Sequence, residues 1–168
     1  MKIPCQPPDG VPDAEIYWTD NTNVVDQFGV RVSNARIQQD YEGNLYFLNV
    51  KDEDEQKQFI CNVFSRKLNV IRRGVITQLK VIRIEPQDRQ PTKLWTSEVK
   101  KTFLKGQTLT LKCIFAGLPT PDVVWRKVKG TLPETRSTIN VERQELIINN
   151  LQYDDAGAYE CRGHNGKG

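Results

Sequence analysis

Histidine is nearly missing from this chain: His164 is the only one in 168 residues. A triad in which an imidazole activates a serine or cysteine would have to use that ring. It falls just after the last cysteine, in an expected turn, and reads as a solvated side chain. No C-x-x-C occurs, so the commonest zinc spacing is absent. Acids do cluster at Asp52-Glu53-Asp54-Glu55. A calcium loop of the EF-hand kind needs spaced oxygens around a turn glycine, so this contiguous run reads as a solvated face. No apolar stretch reaches the ~18–20 residues that cross a bilayer, and none resembles a signal-peptide core. There is no N-x-[ST] sequon, since Asn21-Thr22-Asn23 fails at its third position. Both faces would therefore be free of N-linked glycan. The formal charge of +3 is too small to point to nucleic acid. No catalytic, cofactor-binding or metal-binding residue is expected, and the chain reads as a non-enzymatic binding protein.

What the chain has is two cysteine frames, Cys5-Trp18-Cys61 and Cys113-Trp125-Cys161. By subtraction, the tryptophan follows the first cysteine by 13 and 12 residues, and the cysteines of each frame are 56 and 48 apart. Such intervals fit a β-sandwich in which a disulfide joins strands B and F of facing sheets and a strand C tryptophan packs on it. Of the three pairings four cysteines allow, they select Cys5 with Cys61 and Cys113 with Cys161. The expected fold is all-β: two tandem immunoglobulin-like sandwiches of the intermediate set, with an oxidising, extracellular environment. Free buried thiols, as in immunoglobulin modules inside muscle cells, are the alternative. Both sandwiches read as truncated at the chain ends, because Cys5 leaves little room for a strand A and Gly168 comes before a strand G. The expectation is thus a fragment of a longer ectodomain.

Period-two alternation locates the strands. In the second module, Leu109 to Cys113 reads as strand B, Val123 to Arg126 as C, Leu146 to Ile148 as E and Ala158 to Cys161 as F. Asp155-Ala156-Gly157-Ala158-Tyr159 puts Tyr159 two residues before the second cysteine, the place of a tyrosine corner. In the first module Ile16 to Trp18 is C, Asn44 to Val50 is E, Phe59 to Cys61 is F and Gly74 to Ile84 is G. Phe59 stands where the corner tyrosine would be. Asp54 and Asp155 match by position and should hold the two E–F turns. The polar stretch 85–98, with Pro86 and Pro91, reads as a linker between modules at 1–84 and 99–168.

Charge is uneven: residues 1–84 carry 11 basic and 11 acidic side chains, residues 85–168 carry 13 and 10. Arg66, Lys67, Arg72 and Arg73 flank an apolar Leu68-Asn69-Val70-Ile71 at the F–G hairpin. Lys100, Lys101, Lys105 and Lys112 form a second set along strands A and B, and Arg126, Lys127 and Lys129 a third. Such clusters suit sulfated glycans or acidic partners, against the plain reading of solubilising charge.

Gly117-Leu118-Pro119-Thr120-Pro121 ahead of Trp125, Leu132-Pro133 after it, Pro4-Cys5-Gln6-Pro7-Pro8 and Gly43-Asn44-Leu45-Tyr46-Phe47 resemble the second and third immunoglobulin modules of neural cell-adhesion molecules of the neurofascin and neuroglian type. Phe59 and the ending Arg162-Gly163-His164-Asn165-Gly166 depart from that pattern. The resemblance implies a single-span membrane glycoprotein at the neuronal surface. Its distal modules would bind protein partners, homophilically or through other adhesion receptors, without themselves touching the membrane. The ligand-binding ectodomain of a receptor kinase or phosphatase, or a secreted immune immunoglobulin protein, is the alternative; the domains encoded downstream distinguish them.

Overall fold

The computed structural model describes residues 1–7, 9, 14–20, 23–26, 36–82, 87–97 and 100–168. The chain divides into two compact units, Met1–Pro86 and Gln87–Gly168. The first unit contains β1 (Lys2–Ile3), β2 (Ala14–Asp20), β3 (Asn23–Asp26), β4 (Ile37–Gln39), β5 (Leu45–Phe47), β6 (Gln58–Ser65) and β7 (Val70–Gln78), with a 3₁₀ turn at Asp52–Gln56 before β6. Hydrogen bonds order these strands as β1-β5-β4 in one sheet and β3-β2-β6-β7 in the other, with antiparallel pairing. The second unit contains β8 (Arg89–Thr96), β9 (Leu109–Leu118), β10 (Asp122–Lys127), β11 (Ser137–Asn140), β12 (Glu145–Ile148) and β13 (Tyr159–His164). Its sheets are β11-β12-β9-β8 and β10-β13.

The cysteine and tryptophan frames become one geometric motif made twice. Trp18 on β2 lies directly across from Cys61 on β6, and Trp125 on β10 lies across from Cys161 on β13. From there the bridges run to Cys5 and Cys113, with Cα separations of 5.6 and 6.5 Å. Around the first bridge pack Ile3, Ile37, Leu45, Phe47 and Phe59, and around the second Leu109, Phe115, Val123, Leu146 and Ile148. A bridge over a loop of this length stabilises by roughly 4 kcal/mol through the entropy removed from the unfolded chain. The indoles differ in one respect. Trp18 Nε1 donates to the Gly43 carbonyl at 2.7 Å, at a turn where Gly43 has φ of +90°. Trp125 Nε1 is buried with no acceptor among the described residues.

Three parts of the strand reading need correction. Residues 89–96, read as linker, form β8 on the edge of the second unit's larger sheet. Pro91 misled that reading, because proline is tolerated on an edge strand at a ladder irregularity. The register does shift between Arg89 and Thr92. Strand G begins earlier than Gly74, since β7 starts at Val70. His164 is the last residue of β13 and is exposed, so it does not sit in the turn. The end expected for strand G near Arg83, and a second module beginning at Val99, lie outside the described residues.

Each E–F turn is tied by an arginine from far upstream. Asp54 accepts from the Lys51 amide at 2.8 Å and receives both Nη atoms of Arg36, at 2.7 and 2.8 Å. Asp155 accepts from the Gln152 amide at 2.8 Å and receives Arg136 at 2.6 and 2.9 Å. Asp54 is completely buried, so the acidic run is not wholly a solvated face. Beside this lock the units differ as the corner position foreshadows. Tyr159 Oη donates to the Asp155 carbonyl at 2.5 Å, closing the tyrosine corner. Phe59 has no hydroxyl; it is fully buried and meets Phe47 edge-on, ring centroids 5.0 Å apart.

Tyr159→Phe should cost about 1 kcal/mol, read as a lower urea midpoint of the second unit, because the Asp155 carbonyl loses its donor. Phe59→Tyr should also destabilise, by about 1–3 kcal/mol, since it forces a hydroxyl into a filled apolar site. Equal midpoints for Tyr159→Phe and the parent would show that the corner bond contributes nothing. The Arg136 hydrogen bonds hold the Asp155 carboxyl below its ordinary value of 3.8, with the Gln152 amide adding to the effect against desolvation. A depressed carboxyl pKa in the folded state stabilises fully above the unfolded value and loses that contribution as pH falls through the folded one. Acid titration of unfolding should therefore show a drop in second-unit stability below about pH 4 that Asp155→Asn flattens. An unchanged acid limb in Asp155→Asn would refute the lock's part in it.

Candidate functional site

β7 is the edge of its sheet and, among the described residues, pairs with β6 alone. β6 is buried along nearly its whole length, whereas β7 is mostly exposed. Successive residues of a strand point to opposite faces. With Val75 67% and Ile76 50% exposed, neither face of β7 is covered there by the described residues. Ile71 and Leu68 extend this apolar surface toward the turn at 66–69. That turn closes with Asn69 at φ of +50°, a conformation asparagine tolerates, while the Leu68 amide donates to Ser65 Oγ at 3.3 Å. Opposite Cys61 the register slips, leaving Gly74 at a bulge where a Cβ would lie 2.2 Å from the Cys61 carbonyl oxygen. Only glycine fits that position.

The four cations expected to form one basic patch are divided. Arg66 is held by Glu15 on β2, through Nε to Oε1 and Nη2 to Oε2 at 3.3 Å, and this pairing raises the guanidinium pKa further. Lys67 is exposed in the turn. Arg72 and Arg73, aligned with Val63 and Asn62 of β6, project to opposite faces. Their charge therefore brackets the apolar strip on both sides.

Four members of the other basic sets, Lys105, Lys112, Arg126 and Lys127, are committed to local partners. Lys112 is buried, not superficial, with its Nζ 3.4 Å from Glu145 Oε1. Arg126 and Arg162 both bond Glu160, and the Arg126 bond is the main cause of that carboxyl's lowered pKa. Lys127 Nζ donates to the Asp154 carbonyl and lies over the Tyr159 ring, and Lys105 Nζ lies over Tyr153. Among the described residues no group of three or more His, Cys, Asp or Glu side chains is placed to hold a metal ion. The arrangement can bind a protein by main-chain pairing along β7, with apolar and guanidinium contacts beside it. Sequence reasoning missed Arg36 and Arg136. The signal was available, since each precedes its aspartate by a nearly equal interval, 18 and 19 residues.

Comparison with known proteins gives this geometry a context. An immunoglobulin domain profile matches residues 91–165. Over 97% of the chain, 34% of residues are identical to the mouse neural cell adhesion molecule L1-like protein, of which the match covers 14%. Identity is also 34% with the chicken neuronal cell adhesion molecule, over 98% of this chain and 13% of that protein. Chicken neurofascin is 28% identical over the whole chain and 13% of its own length. The chain thus spans about one seventh of the curated relatives it matches. Among solved structures, the insect immune protein hemolin superposes with a TM-score of 0.76 at 23% identity, covering all of this chain and 45% of hemolin. The immunoglobulin domains 1–5 of Sidekick-1 give 0.72 at 18% identity, over 89% of this chain and 30% of theirs. The chain is thus a pair of disulfide-pinned immunoglobulin sandwiches whose sequence is similar, over nearly its whole length, to segments of neural cell-adhesion molecules of the L1 and neurofascin type.

Proposed function

We propose that this chain is a recognition segment of an extracellular adhesion molecule held at the plasma membrane, and that it binds other proteins without performing chemistry on them. The observation that carries the reading is β7, a long edge strand whose apolar side chains are uncovered on both faces. Unpaired strand edges are templates for another chain, and soluble proteins normally blunt them. Here Arg72 and Arg73 are the only charges on the strand. They would keep the free protein soluble while offering partners to acidic groups. The family relation supports contacts with like copies or with other adhesion receptors. Weak contacts suffice for adhesion, since many copies on apposed membranes raise the effective concentration. The disulfides support an oxidising, extracellular setting.

Beads coated with this chain should cluster if the contact is between like copies, and should capture beads coated with other adhesion ectodomains if it is not. Replacing Ile71, Val75 and Ile76 by Lys should abolish whichever binding occurs and leave the urea midpoint unchanged; full binding by that variant would reject β7 as the contact. A second reading, capture of a sulfated glycan, is favoured by the cations alone. Arg66 is already paired and Arg72 and Arg73 diverge, so replacing Arg66, Lys67, Arg72 and Arg73 by Ser should leave heparin retention unchanged at physiological salt. Lost retention would restore the glycan reading.

A further inference from the structure

Asn165 carries a junction that the adhesion reading does not use. Its Nδ2 donates to the Arg89 carbonyl at 2.7 Å, at the start of β8, and to the Pro119 carbonyl at 2.9 Å, in the turn between β9 and β10. One carboxamide thus ties the segment after β13 both to the first residue of β8 and to the turn between β9 and β10. Gly117 leaves room for it: a Cβ there would lie 3.0 Å from Asn165 Nδ2 and 3.1 Å from the Arg89 oxygen.

The same side chain is folded back over its own backbone. Asn165 Oδ1 accepts from the Lys167 amide at 3.1 Å, an Asx-turn that spans the Gly166 nitrogen. Lys167 is pinned by its ion pair with Asp88 at 2.6 Å. Gly166 is exposed, has φ of +73°, and has nothing within 4 Å of where a side chain would begin. No side chain therefore shields the attacking residue, and the Lys167 N–H already bonds the oxygen on which negative charge would develop.

We propose that Asn165 is a site of spontaneous deamidation, and that the fold turns this local reaction into a break between the sheets of the second unit. Solvent base removes the Gly166 amide proton, and the nitrogen forms a bond to Asn165 Cγ. The bond from Cγ to Nδ2 breaks, and the leaving nitrogen takes up one proton, balancing the one lost from Gly166, and departs as ammonia. Water then opens the five-membered imide at either carbonyl to give aspartate or isoaspartate, with no change of oxidation state. A double donor is thereby replaced by a carboxylate oxygen facing two carbonyl oxygens. Both hydrogen bonds are lost and the acceptors repel what replaces them.

Ageing the folded chain in mildly alkaline buffer, followed by peptide mapping and isoaspartate-specific methylation, tests this. The Asn165 peptide should convert faster than any other asparagine peptide. Gly166→Ala should slow it about tenfold, because a side chain hinders the attacking nitrogen and disfavours this backbone conformation. Asn165→Gln, whose ring closure would be six-membered, should not convert. Aged protein and directly made Asn165→Asp should share a lowered urea midpoint of the second unit and faster amide exchange in β8. Should Asp at this position prevent folding, ageing of the parent still reads both the conversion and its effect. If Asn165 keeps its amide in the folded chain yet loses it in urea, the clamp protects the site and the proposal fails. Conversion with no change in midpoint would overturn the second half.

Discussion

A covalent pin under an indole is the constraint on which both units depend. The cysteine of one strand faces the tryptophan of its neighbour across the ladder, then leaves the sheet to reach the facing one. A register slip of a single residue would turn the slipped strand's cysteine or tryptophan to the outer face, away from its partner. The bridge and the indole therefore fix strand register, sheet spacing and the centre of the core together. Neighbouring apolar residues fill the space this sets, so cores of different composition grow around the same geometry.

Conformational security at the E–F turn is achieved in related ways by the two units. Both bury an aspartate under a bidentate arginine, which fixes where the chain re-enters its sheet at β6 or β13. One removal would leave a buried charge unpaired, the costly side of such a bond. Beyond that pair the units diverge: the second spends a phenolic hydrogen bond, the first a ring-on-ring contact between Phe59 and Phe47. The corner tyrosine is thus one solution to a problem that apolar packing also solves.

The proposed binding function lies at the sheet edge. β6 supplies the core contacts its sheet needs, which releases β7 from burial and lets it carry isoleucine, valine and arginine outward. The glycine at the bulge is required by backbone approach to Cys61, so the strand's shape at its midpoint follows from the same pin that orders the interior. The proposed recognition surface and the core are in this way joined through a single residue.

Spacing along the chain was enough to establish the all-β sandwiches, both disulfides, the strands beside each cysteine and the hydroxyl corner at Tyr159, because these depend on period-two alternation and on intervals that a sandwich imposes. Short or irregular strands escaped it. β4, β11 and β8 carry few alternating residues or contain a proline, and only pairing with a neighbour makes them strands. Arg36 and Arg136 escaped because a charged residue in sequence looks alike whether it is solvated or folded onto a buried aspartate. Lys112 looked like surface charge for the same reason. The basic run at 66–73 looked like one patch, and its division between a paired turn and two strand faces was decided by the ladder, since direction from the backbone exists only once a strand has a partner.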